Sequence, residues 1–334
     1  MKSKTIHLLH LTGLTWAVPF VRLFTGDDAK EQLLQIWRLV GMPAAAILGF
    51  LLFWQLAAQQ INTSLGTLPG PYQVSQQAGV LWKEHWVERK KATEFYARQD
   101  ARIASIKAAN PAANTKKMTY TGKPTYLDQI LTSLKTVFVG FLFASFLALP
   151  IGVICGANKN IMTALNPIIQ VLKPVSPLAW LPIVTMIVSA VYVGNNGVLS
   201  KSFIISAVTV AMCSLWATLI NTAVGVASVN KDYLNVAQVL QLSPSKRIFK
   251  VVLPATLPMI FTGLRITLGV GWMVLIAAEM MAQNPGLGKF IWDEFQNGSS
   301  DSIARIMVAV LTIGVIGYAL DRLMVSLQKL VSFE

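Results

Sequence analysis

Cysteine and charge are both scarce in this chain, and each scarcity excludes a class of protein. The 334 residues include only 2 cysteines, Cys155 and Cys213, and both lie inside apolar segments far from any histidine. A disulfide framework and a zinc site with the usual ligand spacing are therefore excluded. Charged residues make up 13% of the chain, whereas soluble domains carry about 25%. A soluble protein with this composition would lack its charged coat.

Long apolar runs take the place of charge. Hydrophobic residues make up 54% of the chain, and the mean hydropathy is +0.55. The net charge of +13 fits loops beside anionic lipid head groups better than it fits nucleic-acid binding. Because about 20 apolar residues cross the hydrocarbon core as a helix, the sequence predicts an all-α membrane protein with about six transmembrane helices. The six runs are Leu39–Ala58, Val137–Ala157, Leu178–Gly194, Ser202–Gly225, Phe261–Ala282 and Ile306–Met324.

The charge of the short loops predicts the orientation. The loop between the fourth and fifth runs is richer in lysine and arginine than the loops at 195–201 and 283–305. The positive-inside rule puts that loop and both termini in the cytoplasm. The segment 59–125 is then periplasmic, and its many cations do not reverse the prediction because long loops translocate largely regardless of charge. We expect a multi-pass protein of the bacterial inner membrane.

The remaining segments complete the predicted organisation. Residues 6–24 fit an amphipathic helix lying on the membrane and also fit a seventh span. Between 72 and 109 the chain is almost free of glycine and proline, which predicts one long charged helix outside the membrane. The predicted parts are a cytoplasmic or interfacial segment 1–38, a first span 39–58, a periplasmic helical segment 59–125, a core transmembrane domain 126–325 and a cytoplasmic tail 326–334.

The loop at 226–255 is the most informative part of the chain. Asn230 is placed to cap a helix over 231–241, and Ser243 followed by Pro244 marks a second helix start, with an end expected at Pro254. The result is a compact elbow between two spans, with an apolar face and a basic flank. Such an elbow fits a groove on a soluble partner, and it equally fits a connector resting on lipid head groups. The residues alone leave both interpretations open.

This loop resembles the EAA loop of the permease subunits of bacterial ABC importers. In that pattern Glu-Ala-Ala, a glycine and a later Ile-x-Leu-Pro recur, at positions held here by Asn235–Ala237, Gln241 and Val251–Pro254. The chain departs from the pattern with Asn235 in place of glutamate and Gln241 in place of glycine. The second departure removes the residue that adopts a positive φ most easily, although the elbow must still turn there.

Other stretches resemble one branch of this family. Residues 261–279 resemble the fifth span of nitrate permeases, 286–292 the periplasmic loop that follows it, and 123–137 the start of the core. The two departures in the loop are also typical of the nitrate and bicarbonate branch. The resemblance runs from Leu39 onward and is strongest over 122–325, within the broader taurine, sulfonate and nitrate permease family.

The resemblance implies the type I ABC importer permease fold with a cytoplasmic coupling helix. It implies a transport subunit rather than an enzyme, with ATP and Mg²⁺ held by separate cytoplasmic ATP-binding subunits. No Gly-x4-Gly-Lys-Ser/Thr phosphate loop occurs in the sequence, and we expect no cofactor on this chain. The other implied partners are a periplasmic or lipid-anchored substrate-binding protein, a second permease copy in a homodimer, and membrane lipids, but no nucleic acid.

The implied activity is ATP-driven import of nitrate, or nitrite, by alternating access, with bicarbonate and sulfonate or taurine as alternatives. The loop is expected to dock on the ATP-binding subunit, with Leu234, Ala237 and Leu240 as its apolar anchors. The full set of expected coupling residues is Leu234, Asn235, Ala237, Leu240, Gln241, Ser243, Lys246 and Pro254.

Few residues in the spans are candidates for an anion path or gate. Such a path needs positive potential without a tightly held charge, because the ion must also leave. Lys135 and Arg265 are candidates, although each lies near a span end where its side chain can reach the interface instead. Glu279 lies deeper and is expected to pair with a cation or to accept hydrogen bonds as a structural pivot. Met273 and Met280 fit a soft gate or simple packing. No metal site is expected.

Overall fold

The computed structural model describes residues 18–24, 29–63, 66–110, 115–192, 200–299 and 301–331. The predicted interfacial helix at 6–24 therefore lies mostly outside the described residues. Within them the regular secondary structure is helical except for one antiparallel hairpin, β1 (Asn62–Thr63) and β2 (Gly66–Thr67). The helices are α1 (Val18–Phe24), α2 (Ala29–Ile36), α3 (Met42–Gln60), α4 (Pro71–Ala109), α5 (Tyr126–Ala157), α6 (Lys159–Leu172), α7 (Pro177–Val191), α8 (Lys201–Ala227), α9 (Lys231–Val239), α10 (Pro244–Arg247), α11 (Leu253–Ala282), α12 (Leu287–Asn297) and α13 (Ser302–Val331).

The predicted spans are present as helices. Among the described residues, five helical units are long and apolar enough to cross a membrane, and the pair α6–α7 makes a sixth if it is counted as one span. Most of the helices extend beyond the apolar runs, because polar residues continue them past the hydrocarbon. For example, α5 begins at a capping box in which the Thr125 hydroxyl accepts from the Asp128 amide and the Asp128 carboxylate accepts from the Thr125 amide.

Three local features were not predicted. The helical unit that contains the predicted first span begins at Ala29, because α2 continues through a π turn into α3. Before the predicted third span the structure has a further helix: α6 ends before Pro174 and meets α7 at an angle of 102°. The short loop at 283–305, which was predicted to be periplasmic, contains α12. Both missed helices are amphipathic, so hydropathy alone does not reveal them.

The core is built around α8, which packs between α5 and α11. Small residues allow the close approach on the α5 side. A Cβ atom on Gly152 would lie 2.7 Å from the Thr222 Cβ, and one on Gly156 would lie 2.4 Å from the Ala223 carbonyl oxygen. On the α11 side, the hydroxyls of Thr218 and Thr267 are hydrogen-bonded at 2.7 Å. Such contacts are the usual means of joining helices in a membrane.

The 39 residues of α4 form a rod about 58 Å long. Its first half packs on the core, where Leu81 joins a cluster with Phe290 and Val308. Polar contacts fix the same half. The His85 ring is hydrogen-bonded to the Thr125 hydroxyl at 2.6 Å, and Glu84 pairs with Arg305 at 2.7 Å. With the predicted orientation, α4 lies at the periplasmic end of the spans and the 226–255 loop at the cytoplasmic end.

Candidate coupling loop and translocation surface

The loop predicted to couple ATP hydrolysis to transport forms a short, well-capped helix. The Asn230 side chain accepts a hydrogen bond from the Asp232 amide at 2.9 Å and so caps α9, as predicted. The helix ends two residues earlier than the predicted Gln241, at Val239. Its axis leads directly into the turn that carries the chain to the fifth span.

Gln241 makes that turn in a left-handed conformation, with φ of 48°. The Leu242 amide then donates back to the Ala237 carbonyl at 3.0 Å, which closes the end of the helix. The sequence predicted a turn here that lacked its glycine, and the structure has the positive φ that a glycine would adopt most easily. The left-handed backbone costs a non-glycine residue about 1–2 kcal/mol.

The prediction that the second helix of the loop ends at Pro254 is wrong. After α10 the chain passes through a π turn, Ile248–Val252, and continues into α11, so that Pro244–Ala282 is one helical unit. Proline has no amide hydrogen and cannot bond four residues back. The wider π turn precedes it, with the Leu253 amide donating to the Ile248 carbonyl. The helix therefore crosses Pro254 instead of stopping.

The exposed face of α9 differs in part from the predicted anchors. Ala237 is only 2% exposed, and α9 contacts the π turn of its own chain. Leu240 is 65% exposed and Val239 81% exposed, whereas Leu234 is half-buried. The side chain of Ala237 is therefore packed inside this chain and is not accessible to a partner. The other predicted coupling residues, Asn235, Gln241, Ser243, Lys246 and Pro254, are exposed.

At the other end of α11, Glu279 is fully buried among hydrogen-bond donors. Its carboxylate accepts from the Ser133 hydroxyl of α5, at 2.7 and 2.9 Å to the two oxygens, and from the Gly288 amide of α12 at 3.0 Å. The Asn284 side-chain amide lies 3.4 Å away. We call these four residues the Glu279 cluster. It joins α5, α11 and α12, because the carboxylate of Glu279 accepts hydrogen bonds from residues on or beside each of the other two helices.

Two glycines make room for this cluster. A Cβ atom on Gly286 would lie 2.1 Å from a Glu279 carboxylate oxygen, and one on Gly288 would lie 2.2 Å from the Ile276 carbonyl oxygen. The Ser133 hydroxyl also accepts from the Leu287 amide at 2.8 Å, so the first turn of α12 is tied down. Sequence reasoning missed Ser133 and Asn284. The Gly-Leu-Gly run after an intramembrane carboxylate was the signal available for finding the cluster.

The two cations proposed for an anion path are placed differently from each other. Arg265 pairs with Asp321 of α13, with distances of 2.5 Å from Nε and 2.9 Å from Nη2 to the two carboxylate oxygens. Its charge is compensated, so it is not a free site for an anion. Lys135 is exposed on α5 beside the exposed apolar side chains of Leu131 and Phe138.

The proposed methionine gate lies on the exposed side of the fifth span. Met273 is 76% exposed and shares a face of α11 with exposed Ile266 and Gly269. A Cβ atom on Gly269 would meet no other atom within 4 Å. Met280 is half-buried. The structure thus brings Met273 to an uncharged surface that the chain itself leaves open, and it does not bring Lys135, Arg265 and Glu279 together into one site.

Known proteins share both the sequence and the fold. Residues 148–332 match the family described as the binding-protein-dependent transport system inner membrane component. The chain belongs to this family. It is the permease subunit of an ABC importer, an inner-membrane protein whose ATPase activity resides on separate subunits, and it works with ATP-binding and substrate-binding partners.

Named relatives of the permease fall into several substrate classes. The nitrate import permease NrtB of Synechococcus elongatus is 39% identical over 61% of this chain and 69% of its own length. The bicarbonate transport system permease CmpB of the same organism is 35% identical over 86% of this chain and 88% of its own length. The taurine permease TauC of Escherichia coli is 30% identical over 64% of this chain and 74% of its own length.

A solved structure supports the type I fold of the permease. An inward-facing structure of the MetNI methionine ABC transporter aligns with a TM-score of 0.53 and 14% identity. The alignment covers 62% of this chain and 96% of that one. At this identity the likeness concerns the fold alone.

Proposed function

We propose that this permease carries nitrate, and nitrite with it, from the periplasm to the cytoplasm by alternating access. The observation that carries the proposal is the higher identity to the nitrate import permeases than to the bicarbonate and taurine permeases. ATP and Mg²⁺ stay on the partner ATP-binding subunits. The mechanism then has three parts: a coupling contact, a translocation surface and a second permease copy that closes the surface.

The coupling contact is the exposed side of α9. Tyr233, Val236, Val239 and Leu240 are all exposed there, and such an apolar helix face fits a hydrophobic groove on a folded partner. Ala237 is buried beside them, and α9 contacts the π turn of its own chain. A movement of the ATP-binding subunits thereby reaches α11, because the π turn and α11 belong to one helical unit.

The translocation surface is the exposed face of α11 with Ile266, Gly269 and Met273. In a homodimer, this face and its copy enclose a path without an uncompensated fixed charge, since Arg265 is paired with Asp321. A small monovalent anion is held weakly on such a surface, which suits conduction because the ion must also leave. Lys135 supplies positive potential outside this face.

Bicarbonate is the second candidate, and a specific observation favours it. The similarity to the bicarbonate permeases extends over 86% of this chain, whereas the similarity to the nitrate permeases covers 61%. Both ions are small planar monoanions, and the surface on α11 provides no feature that distinguishes them.

Transport by the whole complex tests the proposal. The permease is reconstituted in proteoliposomes with its ATP-binding subunits and its binding protein. Uptake of labelled nitrate is measured against unlabelled nitrite, bicarbonate and taurine, and uptake of labelled bicarbonate is measured separately. We expect ATP-dependent nitrate uptake that nitrite lowers and bicarbonate leaves unchanged. A non-hydrolysable ATP analogue serves as the control. Uptake of bicarbonate instead of nitrate would transfer the assignment to the second candidate.

A further inference from the structure

We propose that a cavity between α4 and the starts of α5 and α13 binds the head group of an anionic phospholipid. The proposal concerns a different part of the molecule from the coupling loop and the translocation surface. It does not depend on which ion the permease carries.

The cavity lies at the membrane surface and has both a polar and an apolar side. Its volume is about 390 Å³. Val80 and Val87 of α4 line one side, and Tyr126 and Phe290 line the other. Arg305, which lines the cavity, directly precedes the apolar run that begins at Ile306, so we place the opening of the cavity at the level of the lipid head groups. An amphiphile therefore fits it better than a fully polar solute does.

The charges around the cavity favour a phosphate. Both carboxylates are already engaged: Glu84 by Arg305 at 2.7 Å and Glu88 by the Tyr120 hydroxyl at 2.7 Å. The bond from Tyr120 also holds the pKa of Glu88 below its usual value, so this carboxylate stays ionised and occupied. The charged lining residues are the cations Lys83, Lys91, Lys123 and Arg305 and the carboxylates Glu84 and Glu88, a surplus of two positive charges.

Two of these cations are available for a ligand. The ammonium groups of Lys83 and Lys123 form no ion pair with any residue that the structure describes. Both side chains are exposed and line opposite sides of the cavity, Lys83 on α4 and Lys123 just before α5. A phosphate between them would receive two charge-assisted contacts.

Native mass spectrometry of the full complex in detergent tests the proposal. Phosphatidylglycerol, phosphatidic acid and phosphatidylcholine are each titrated, with soluble glycerol 3-phosphate as a competitor. The double variant Lys83→Gln/Lys123→Gln is compared with Lys90→Gln/Lys116→Gln, which removes the same charge from exposed lysines outside the cavity. We expect phosphatidylglycerol to bind about thirtyfold more weakly to the cavity variant and with little change to the control.

Three results would each overturn the proposal. Equal affinity of the two double variants for phosphatidylglycerol would mean that the cavity is not the site. Displacement of the lipid by glycerol 3-phosphate at equal concentration would mean that the ligand is a free phosphate. Binding of phosphatidylcholine with the same affinity would mean that the lysines do not select for a lipid with net negative charge. Retention of the ATP-binding subunits by each variant confirms that the complex is intact.

Discussion

Replacing Glu279 by alanine should loosen the attachment of α12 to the spans. The substitution removes the acceptor for the Gly288 amide and the Ser133 hydroxyl, both of which are buried. The Asn284 side-chain amide keeps its 3.1 Å hydrogen bond to the Thr136 hydroxyl, so the substitution leaves it with one partner. A buried donor left without an acceptor costs about 1–3 kcal/mol. Two such donors give an expected loss of about 4 kcal/mol in the free energy that holds α12 in place.

Hydrogen exchange measures this loss locally. Because α12 can open without the whole chain unfolding, the amides over residues 284–297 report the attachment directly. A loss of about 4 kcal/mol makes opening roughly a thousandfold more frequent, and exchange in this segment should accelerate accordingly. Glu279→Gln keeps one carbonyl oxygen for the Gly288 amide and should have an intermediate effect. Peptides from α8 should exchange as in the wild type.

Asp293→Asn is the matched control. Asp293 lies on α12 and pairs with Lys289, but both side chains are partly exposed, at 48% and 28%. Such a pair contributes at most about 1 kcal/mol, so exchange should change little. If Glu279→Ala left exchange at the wild-type rate, apolar packing of Leu287 and Phe290 would be what holds α12. If Asp293→Asn accelerated exchange as much as Glu279→Ala, the effect would not come from the buried hydrogen bonds. Either result would refute the reasoning.

Three further substitutions test other parts of the argument. Gln241→Gly should raise thermal stability slightly, by about 0.5 kcal/mol, because glycine adopts the positive φ without strain; a lower melting temperature would contradict this. Leu240→Glu should reduce ATP-driven uptake at least about tenfold while the chain still reaches the membrane, since a buried charge weakens docking; normal uptake refutes the contact. Arg265→Ala should cost at most about 1 kcal/mol of stability, because the Arg265–Asp321 pair is partly exposed; a much larger fall in melting temperature would contradict this.

The spans could be predicted from the sequence because burial in hydrocarbon depends on residue type alone. A run such as 202–225 is apolar on every side, and no knowledge of its neighbours is needed. The helices α6 and α12 are apolar on one side only, and loops around prolines or glycines look similar in composition. Their existence depends on what covers the apolar side, and for α12 that includes Leu287 and Phe290 against the core.

The candidate site was partly predictable for the same reason. The turn at Gln241 follows from a local pattern, since a helix cap and a helix start flank it. The partners of Glu279 do not follow from a local pattern, because Ser133 lies 146 residues away in the sequence. The pairing of Arg265 with Asp321 spans 56 residues. The orientation of Ala237 depends on a π turn that no propensity indicates.

The arrangement of these parts gives the proposed coupling a physical route. The helical unit Pro244–Ala282 has 39 residues and is about 58 Å long. One end contacts α9 and the other ends in the Glu279 cluster, with the surface of Met273 between them. A continuous helix resists compression, so a displacement imposed on α9 is either absorbed at the π turn or transmitted along α11. Because the Glu279 cluster ties α11 to α5 and α12, a transmitted displacement moves the periplasmic ends of these helices together. The open and closed states of the translocation surface are then linked to both ends of one rod.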